Sequence, residues 1–129
     1  MAFNFPDNYR FADSHEYAVE DSELIKIGIS EFAVDQLGDI VFVDLPEKGS
    51  KIEKSTVFGS VESVKAVEDM YAPMTGVIEE VNESVLSSPE ALQSDPHGEG
   101  WLLKIRPEDL DQFNLLMDSN SYKSKVAVK

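Results

Sequence analysis

The chain has 129 residues, 42% of them hydrophobic, with 11 basic and 25 acidic side chains and a formal net charge of −14. That length suits one domain spanning 1–129 with a real core, and the acidity argues against nucleic-acid binding and against an anionic membrane surface. There is no cysteine, which removes a disulfide framework, a thiolate metal site and a cysteine nucleophile.

In chain order, the start "MAFNFPDNYRFADSHEY" lacks a basic segment followed by an apolar run, so no signal peptide is expected. "ELIKIGI" (23–29) places Ile25, Ile27 and Ile29 on one face of a strand. Ser30 caps a helix over "SEFAVDQLG" that Gly38 closes. "DIVFVDLP" (39–46) reads as a strand buried on both faces and ended by Pro46. "STVFGSVES" alternates Val57, Gly59 and Val61 against Phe58, Ser60 and Glu62. "GVIEEVN" and "GWLLKIRP" are further strands, and "SSPEALQS" is a helix start with Ser88 as cap and Pro89 at its first position. "RPEDLDQFNLLMD" reads as the clearest helix, with Leu110, Phe113, Leu116 and Met117 as its apolar stripe. The tail "NSYKSKVAVK" is weakly patterned and reads as prone to fray. Short strands broken by PEKG, APMTG and HGEG suggest a small barrel or sandwich.

Signals for intrinsic catalysis are weak. His15 and His97 are far apart, and His97 in "DPHGEG" reads as a solvated loop residue. There is no G-x-S-x-G elbow, Walker A loop or G-x-G-x-x-G, and no metal site is expected. The extended stretches around 55–63 and 67–81 leave only Val64, Lys65 and Ala66 between them. A short turn there makes Lys65 the tip of a hairpin, followed by a second tight turn with Pro73 and Gly76. Geometry alone leaves Lys65 an ordinary solvated lysine that is well presented to a modifying enzyme. The strongly negative field favours partners with basic docking surfaces, although acidity that merely maintains solubility reads equally well.

Glu62, Lys65, Ala66 and the turn "APMTG" (72–76) together resemble the attachment hairpin of lipoyl domains. Biotin carriers usually flank the lysine with methionines, whereas Val64 and Ala66 stand here. "SHEY" (14–17), "IGISEFAVDQLGDIVFVDLPEKG" (27–49), "FGSVESVKA" (58–66) and "EEVNESVLSSPEALQSDPHGEGWLLKI" (79–105) extend the resemblance over most of the chain. It is similar to the H-protein family of the glycine cleavage system. Two departures are visible: Tyr17 stands where the family usually has Trp, and Ser55 and Thr56 stand where it usually has Gly after a lysine.

The resemblance implies a mainly β, barrel-sandwich hybrid of the lipoyl/biotinyl-domain type, with short helices and a C-terminal helix. It implies a non-catalytic, monomeric carrier with lipoate amide-linked to Lys65. The carrier would take the aminomethyl group of glycine from the pyridoxal-phosphate glycine decarboxylase to the aminomethyltransferase, and electrons to dihydrolipoyl dehydrogenase. Ser14, Glu16 and Asp69 match residues that line the cleft for the loaded arm, while Glu62 and Ala66 match positions read by the lipoate-attaching enzyme. His15, between Ser14 and Glu16, is expected to pack or bond backbone. The expected location is the cytoplasm of a bacterium, or the mitochondrial matrix if this is a processed chain. Three other readings stay open: a lipoyl carrier of another pathway, a non-lipoylated docking module and, most remotely, a hydrolase.

Overall fold

The computed structural model describes residues 5–127, so the two ends of the chain named above, 1–4 and 128–129, lie outside the described residues. Ten strands form two antiparallel sheets. The larger contains β1 (Tyr9–Phe11), β2 (Glu16–Asp21), β3 (Leu24–Ile29), β5 (Lys51–Ile52), β8 (Gly76–Val81), β9 (Leu103–Pro107) and β10 (Met117–Asp118), in the order β10-β1-β2-β3-β9-β8-β5. The smaller has β4 (Ile40–Asp44), β6 (Val57–Ser63) and β7 (Val67–Tyr71), with β6 in the middle. One apolar core joins them: Ile27 and Ile105 of the large sheet meet the same cluster as Val43, Val61 and Met70 of the small one.

The strand expected around Ile25, Ile27 and Ile29 is present as β3, with all three buried. Tyr17 of β2 lies opposite Gly28 in register, and a Cβ at Gly28 would come within 2.5 Å of the Tyr17 hydroxyl. The glycine therefore makes room for the ring, whose hydroxyl donates to Pro96 O at 2.8 Å. The Ser30 cap is also present: its Oγ accepts from Ala33 N at 3.1 Å at the start of α1 (Glu31–Leu37), and Gly38 ends the helix at φ 77°.

Several readings are corrected. β4 is not buried on both faces, because a shift of register between Ile40 and Phe42 leaves Val41 and Phe42 in water. A second shift, between Val57 and Gly59, breaks the alternation of β6, burying Phe58 and Val61 while Val57 is exposed. Near 88, a short α2 (Glu83–Ser87) is capped by Asn82, and α3 (Glu90–Ser94) follows Pro89 without a side-chain cap from Ser88. The largest correction concerns 106–118. Pro107 closes β9 opposite Gly76, and Met117 pairs with Phe11, so only the four residues of α4 (Asp111–Asn114) are helical. Leu110 and Leu115 of the expected stripe region are exposed, whereas Leu116 is buried.

The C-terminal helix is instead the tail, α5 (Ser119–Ala127). Asp118 accepts from Ser121 N at 2.8 Å as an N-cap bond, and Tyr122 and Val126, four apart, reach an aromatic cluster with Phe11, Tyr17 and Phe32. Tyr122 stacks on Phe11 with ring centroids 4.3 Å apart. His97 also belongs here and is not a solvated loop residue. Its ring lies among Phe5, Tyr9, Phe11 and Tyr17, and its Nε2 accepts from Glu31 N at 3.2 Å.

Candidate functional site

β6 and β7 form the expected hairpin with Lys65 exposed at its tip. The turn is built by Ser63. Its backbone N donates to Ala66 O at 2.8 Å, and its Oγ accepts from the backbone N of Lys65 and of Ala66, both at 3.2 Å. Val64 N donates to Asp39 O at 3.0 Å, which ties the tip to the loop after α1. That loop is held in turn by Gln93 of α3, which accepts from Ile40 N at 3.1 Å and donates to Asp39 Oδ1 at 3.2 Å. The Lys65 shaft passes over Gly38: a Cβ added there would lie 3.5 Å from Lys65 Cε. The positive φ of Gly38 disfavours any other residue in any case.

Beside the lysine lies a cleft of about 360 Å³ between α1, the hairpin and the loop joining β1 to β2. Ile29, Phe32, Leu37, Val61 and Met70 give it apolar walls, and Ser14, Glu16, Lys65 and Asp69 all line it. Residues 14, 16, 65 and 69, dispersed in sequence, are thus brought to one depression. Glu62 is not part of it. It projects from β6 into solvent, opposite Val67, while Ala66 lies exposed at the tip and lines the cleft.

Glu16 is buried, at 1% exposure, at the start of β2. One carboxylate oxygen accepts from the Ser14 hydroxyl, and the other accepts from Tyr71 N of β7 at 2.9 Å. The side chain therefore also bridges the two sheets. Burial pushes its carboxyl above the usual range, and the bonds from Ser14 and Tyr71 oppose that rise. His15, as expected, packs and bonds backbone: at φ 82° its carbonyl accepts from Ser30 N at 2.9 Å. Its Nδ1 lies 2.7 Å from the Tyr122 hydroxyl, which is also 2.7 Å from Ser30 Oγ. Burial, opposed by the Ser30 bond and reinforced by nearby Glu16, pushes Tyr122 up to about 12, so it remains a neutral phenol that braces this wall.

Asp69 is exposed, opposite Ser60 in register. Sequence reasoning missed Glu68, which also lines the cleft. Glu68 pairs with Val61, and directly opposed residues share a face, so its carboxylate is on the cleft side of the sheet. The period-two signal was available, since Val61 was assigned a face, but the pairing partner was not. The face of α1 given by Phe32, Gln36 and Leu37 was likewise invisible as a cleft wall until the helix was placed. Among the described residues, no group of His, Asp and Glu could hold a metal ion, and no helix is long and apolar enough to cross a membrane.

Residues 9–129 match the family model described as Glycine cleavage H-protein. Glycine cleavage system H proteins of Prochlorococcus marinus (strain NATL2A) and Synechococcus sp. (strain CC9902) are each 68% identical to this chain. The first alignment covers 98% of this chain and 99% of the relative, and the second 98% of each. The crystal structure of a glycine cleavage system H protein from Mycobacterium marinum superposes with a TM-score of 0.87 at 31% identity, covering 95% of this chain and 99% of that one. The barrel-sandwich architecture expected from the sequence is thus shared with a solved relative. With matches of this extent, the chain belongs to the glycine cleavage H-protein family, the non-catalytic lipoyl carriers of the glycine cleavage system.

Proposed function

We propose that Lys65 is the residue that carries lipoate, and that residues 1–129 act as one monomeric, cytoplasmic carrier domain. The observation that supports this most directly is an exposed lysine on a braced hairpin tip, opening on a cleft with apolar walls and an acidic lining. The residues fit the group. Phe32, Leu37, Val61 and Met70 offer apolar surface to a hydrocarbon arm, and Lys65 stands at the margin of that surface. When amide-linked, lipoate would supply a disulfide that takes up a one-carbon amine unit together with two electrons and, once that unit has left, a dithiol that gives the electrons up.

The chain's own residues provide mounting and shelter. Ser63 fixes the backbone from which Lys65 projects. Glu16 puts a carboxylate in the cleft and Asp69 adds negative charge along its lining, where a protonated amine of the cargo is favoured, and Ser14, already donating to Glu16, orients the Glu16 carboxylate. Walls that exclude water protect a labile adduct from hydrolysis. Glu62 and Ala66 are the positions that an attaching enzyme reads beside Lys65. The partners of this reading are glycine decarboxylase, aminomethyltransferase, dihydrolipoyl dehydrogenase and that lipoate-attaching enzyme. The test is intact mass and peptide mapping after incubation with lipoate, ATP and a lipoate–protein ligase. One lipoyl group on the peptide containing Lys65, absent from Lys65→Arg, is the expected result; an unmodified wild type or a modified Lys65→Arg overturns it.

A further inference from the structure

The two faces of the small sheet differ in character. On the inner face, Val43, Val61 and Glu68 form one cross-strand row, with both valines buried and Glu68 lining the cleft. On the outer face the next row is Phe42, Glu62 and Val67, and all three are exposed. Phe42 is 54% exposed and Val67 63%, and Val41 at 50% and Val64 at 68% continue the apolar surface along β4 and onto the tip. Apolar side chains clustered on one exposed face mark an interaction surface. At its centre, no described residue makes an ion pair with Glu62.

We propose that the outer face formed by Phe42, Glu62 and Val67 is the docking surface for the lipoate-attaching enzyme, which meets it with apolar groups around a basic side chain. Reach selects this occupant. An enzyme that acylates Lys65 must bring its own active site to Nζ, within one lysine side chain of the hairpin backbone. Enzymes that work on the far end of a lipoyl arm stand further away by the length of that arm. The surface adjoining the tip is therefore in the zone that the attaching enzyme has to cover. The inner approach is lined by α1 and the cleft, whereas the outer face is open. Charge points the same way: a chain of net charge −14 with an unpaired carboxylate amid apolar groups is complementary to a basic residue in an apolar setting. The role of Phe42 and Val67 rests on the reading of Lys65 as the acylated residue.

The test compares Phe42→Ser and Val67→Ser with Leu110→Ser, a control at an exposed leucine outside the small sheet. Purified ligase, lipoate and ATP are supplied, and lipoyl transfer is followed by intact mass. The activated acyl group passes to neutral Nζ, AMP leaves with its electron pair, and the amine proton is released. The expected result is a KM for the carrier raised about tenfold by each sheet variant, an unchanged kcat, and wild-type behaviour of Leu110→Ser. The same substitutions are placed in Lys65→Arg, which cannot be acylated, and ligase affinity is measured by calorimetry; about tenfold weaker binding is expected. Wild-type KM and affinity in both sheet variants, with the wild type fully lipoylated, overturn the docking surface and leave the assignment of Lys65 intact. Unchanged ligase binding with weakened binding to purified glycine decarboxylase overturns the choice of occupant. A wild type that never gains a lipoyl group overturns both readings.

Discussion

The two sheets use large apolar side chains in opposite ways. In the seven-stranded sheet the largest are covered: Phe11 and Tyr17 are fully buried, and Tyr122 of α5 packs against them. In the three-stranded sheet, Val41, Phe42, Val57 and Val67 remain in water beside the lysine-bearing tip. The large sheet's aromatic cluster is thus sealed by a helix, while the small sheet keeps part of its apolar surface in water. The sheets are not independent, because Glu16 joins them and Met70 and Val61 belong to the common core. The contrast is between faces rather than between separable units.

The largest effect that tests this contrast comes from Tyr122. Removing its ring with Tyr122→Ala should cost about 3–5 kcal/mol, as for other buried aromatics, whereas Phe42→Ala should stay within about 0.5 kcal/mol. Denaturant titration of the two variants measures both. Equal losses would dissolve the distinction between a covered and an uncovered sheet.

A second test uses pH and concerns the covered region alone. Burial holds the His97 imidazole below its ordinary value of 6.5, with Glu31 and Asp95 opposing that shift and Lys26 reinforcing it. Its Nε2 accepts from Glu31 N, so protonation removes that bond. Because the folded value is the lower one, the contribution of His97 is fully present above about pH 6.5. It is lost progressively as pH falls towards and through the folded value. Unfolding free energies of wild type and His97→Gln, taken across that window, should converge on the acidic side. A constant gap would show that the histidine does not titrate in the fold.

A more local effect belongs to the tip. Ser63→Ala removes the oxygen that accepts from two backbone amides and should cost about 1 kcal/mol. Amide hydrogen exchange should quicken at Lys65 and Ala66 while the amides of β2 and β3 stay protected. Faster exchange throughout the large sheet would mean that the tip is coupled to the core and not merely mounted on it.

What was legible in the sequence was what is local. The Lys65 hairpin lies between adjacent strands, and the Ser30 cap, the end of α1 at Gly38 and the face of β3 are each decided within a few residues. What was misread depends on partners far along the chain. The stripe at 110–117 has helical spacing, but Pro107 is claimed by pairing with Gly76, and Met117 by Phe11. The tail has little pattern of its own because two side chains, Tyr122 and Val126, supply its anchorage to an aromatic cluster built elsewhere. His97 sits in turn-like sequence, yet its carbonyl receives the Tyr9 hydroxyl from 88 positions away at 2.7 Å. At the candidate site, resemblance picked out Ser14, Glu16 and Asp69, and the fold gathers them with Lys65. Glu68 required knowing that it lies opposite Val61.

The bond from Val64 N to Asp39 O has a mechanical consequence. It turns the hairpin tip into a fixed pivot, with Gln93 as a strut behind it. Whatever Lys65 bears then sweeps a volume whose centre does not wander with the loop. A tethered group confined in this way has an effective concentration at a docked active site set by the tether alone. Successive partners that grip the same body would find the far end of the tether within the same bounded region each time. The timing of the hand-over then depends on which partner is docked, not on how the hairpin happens to be bent.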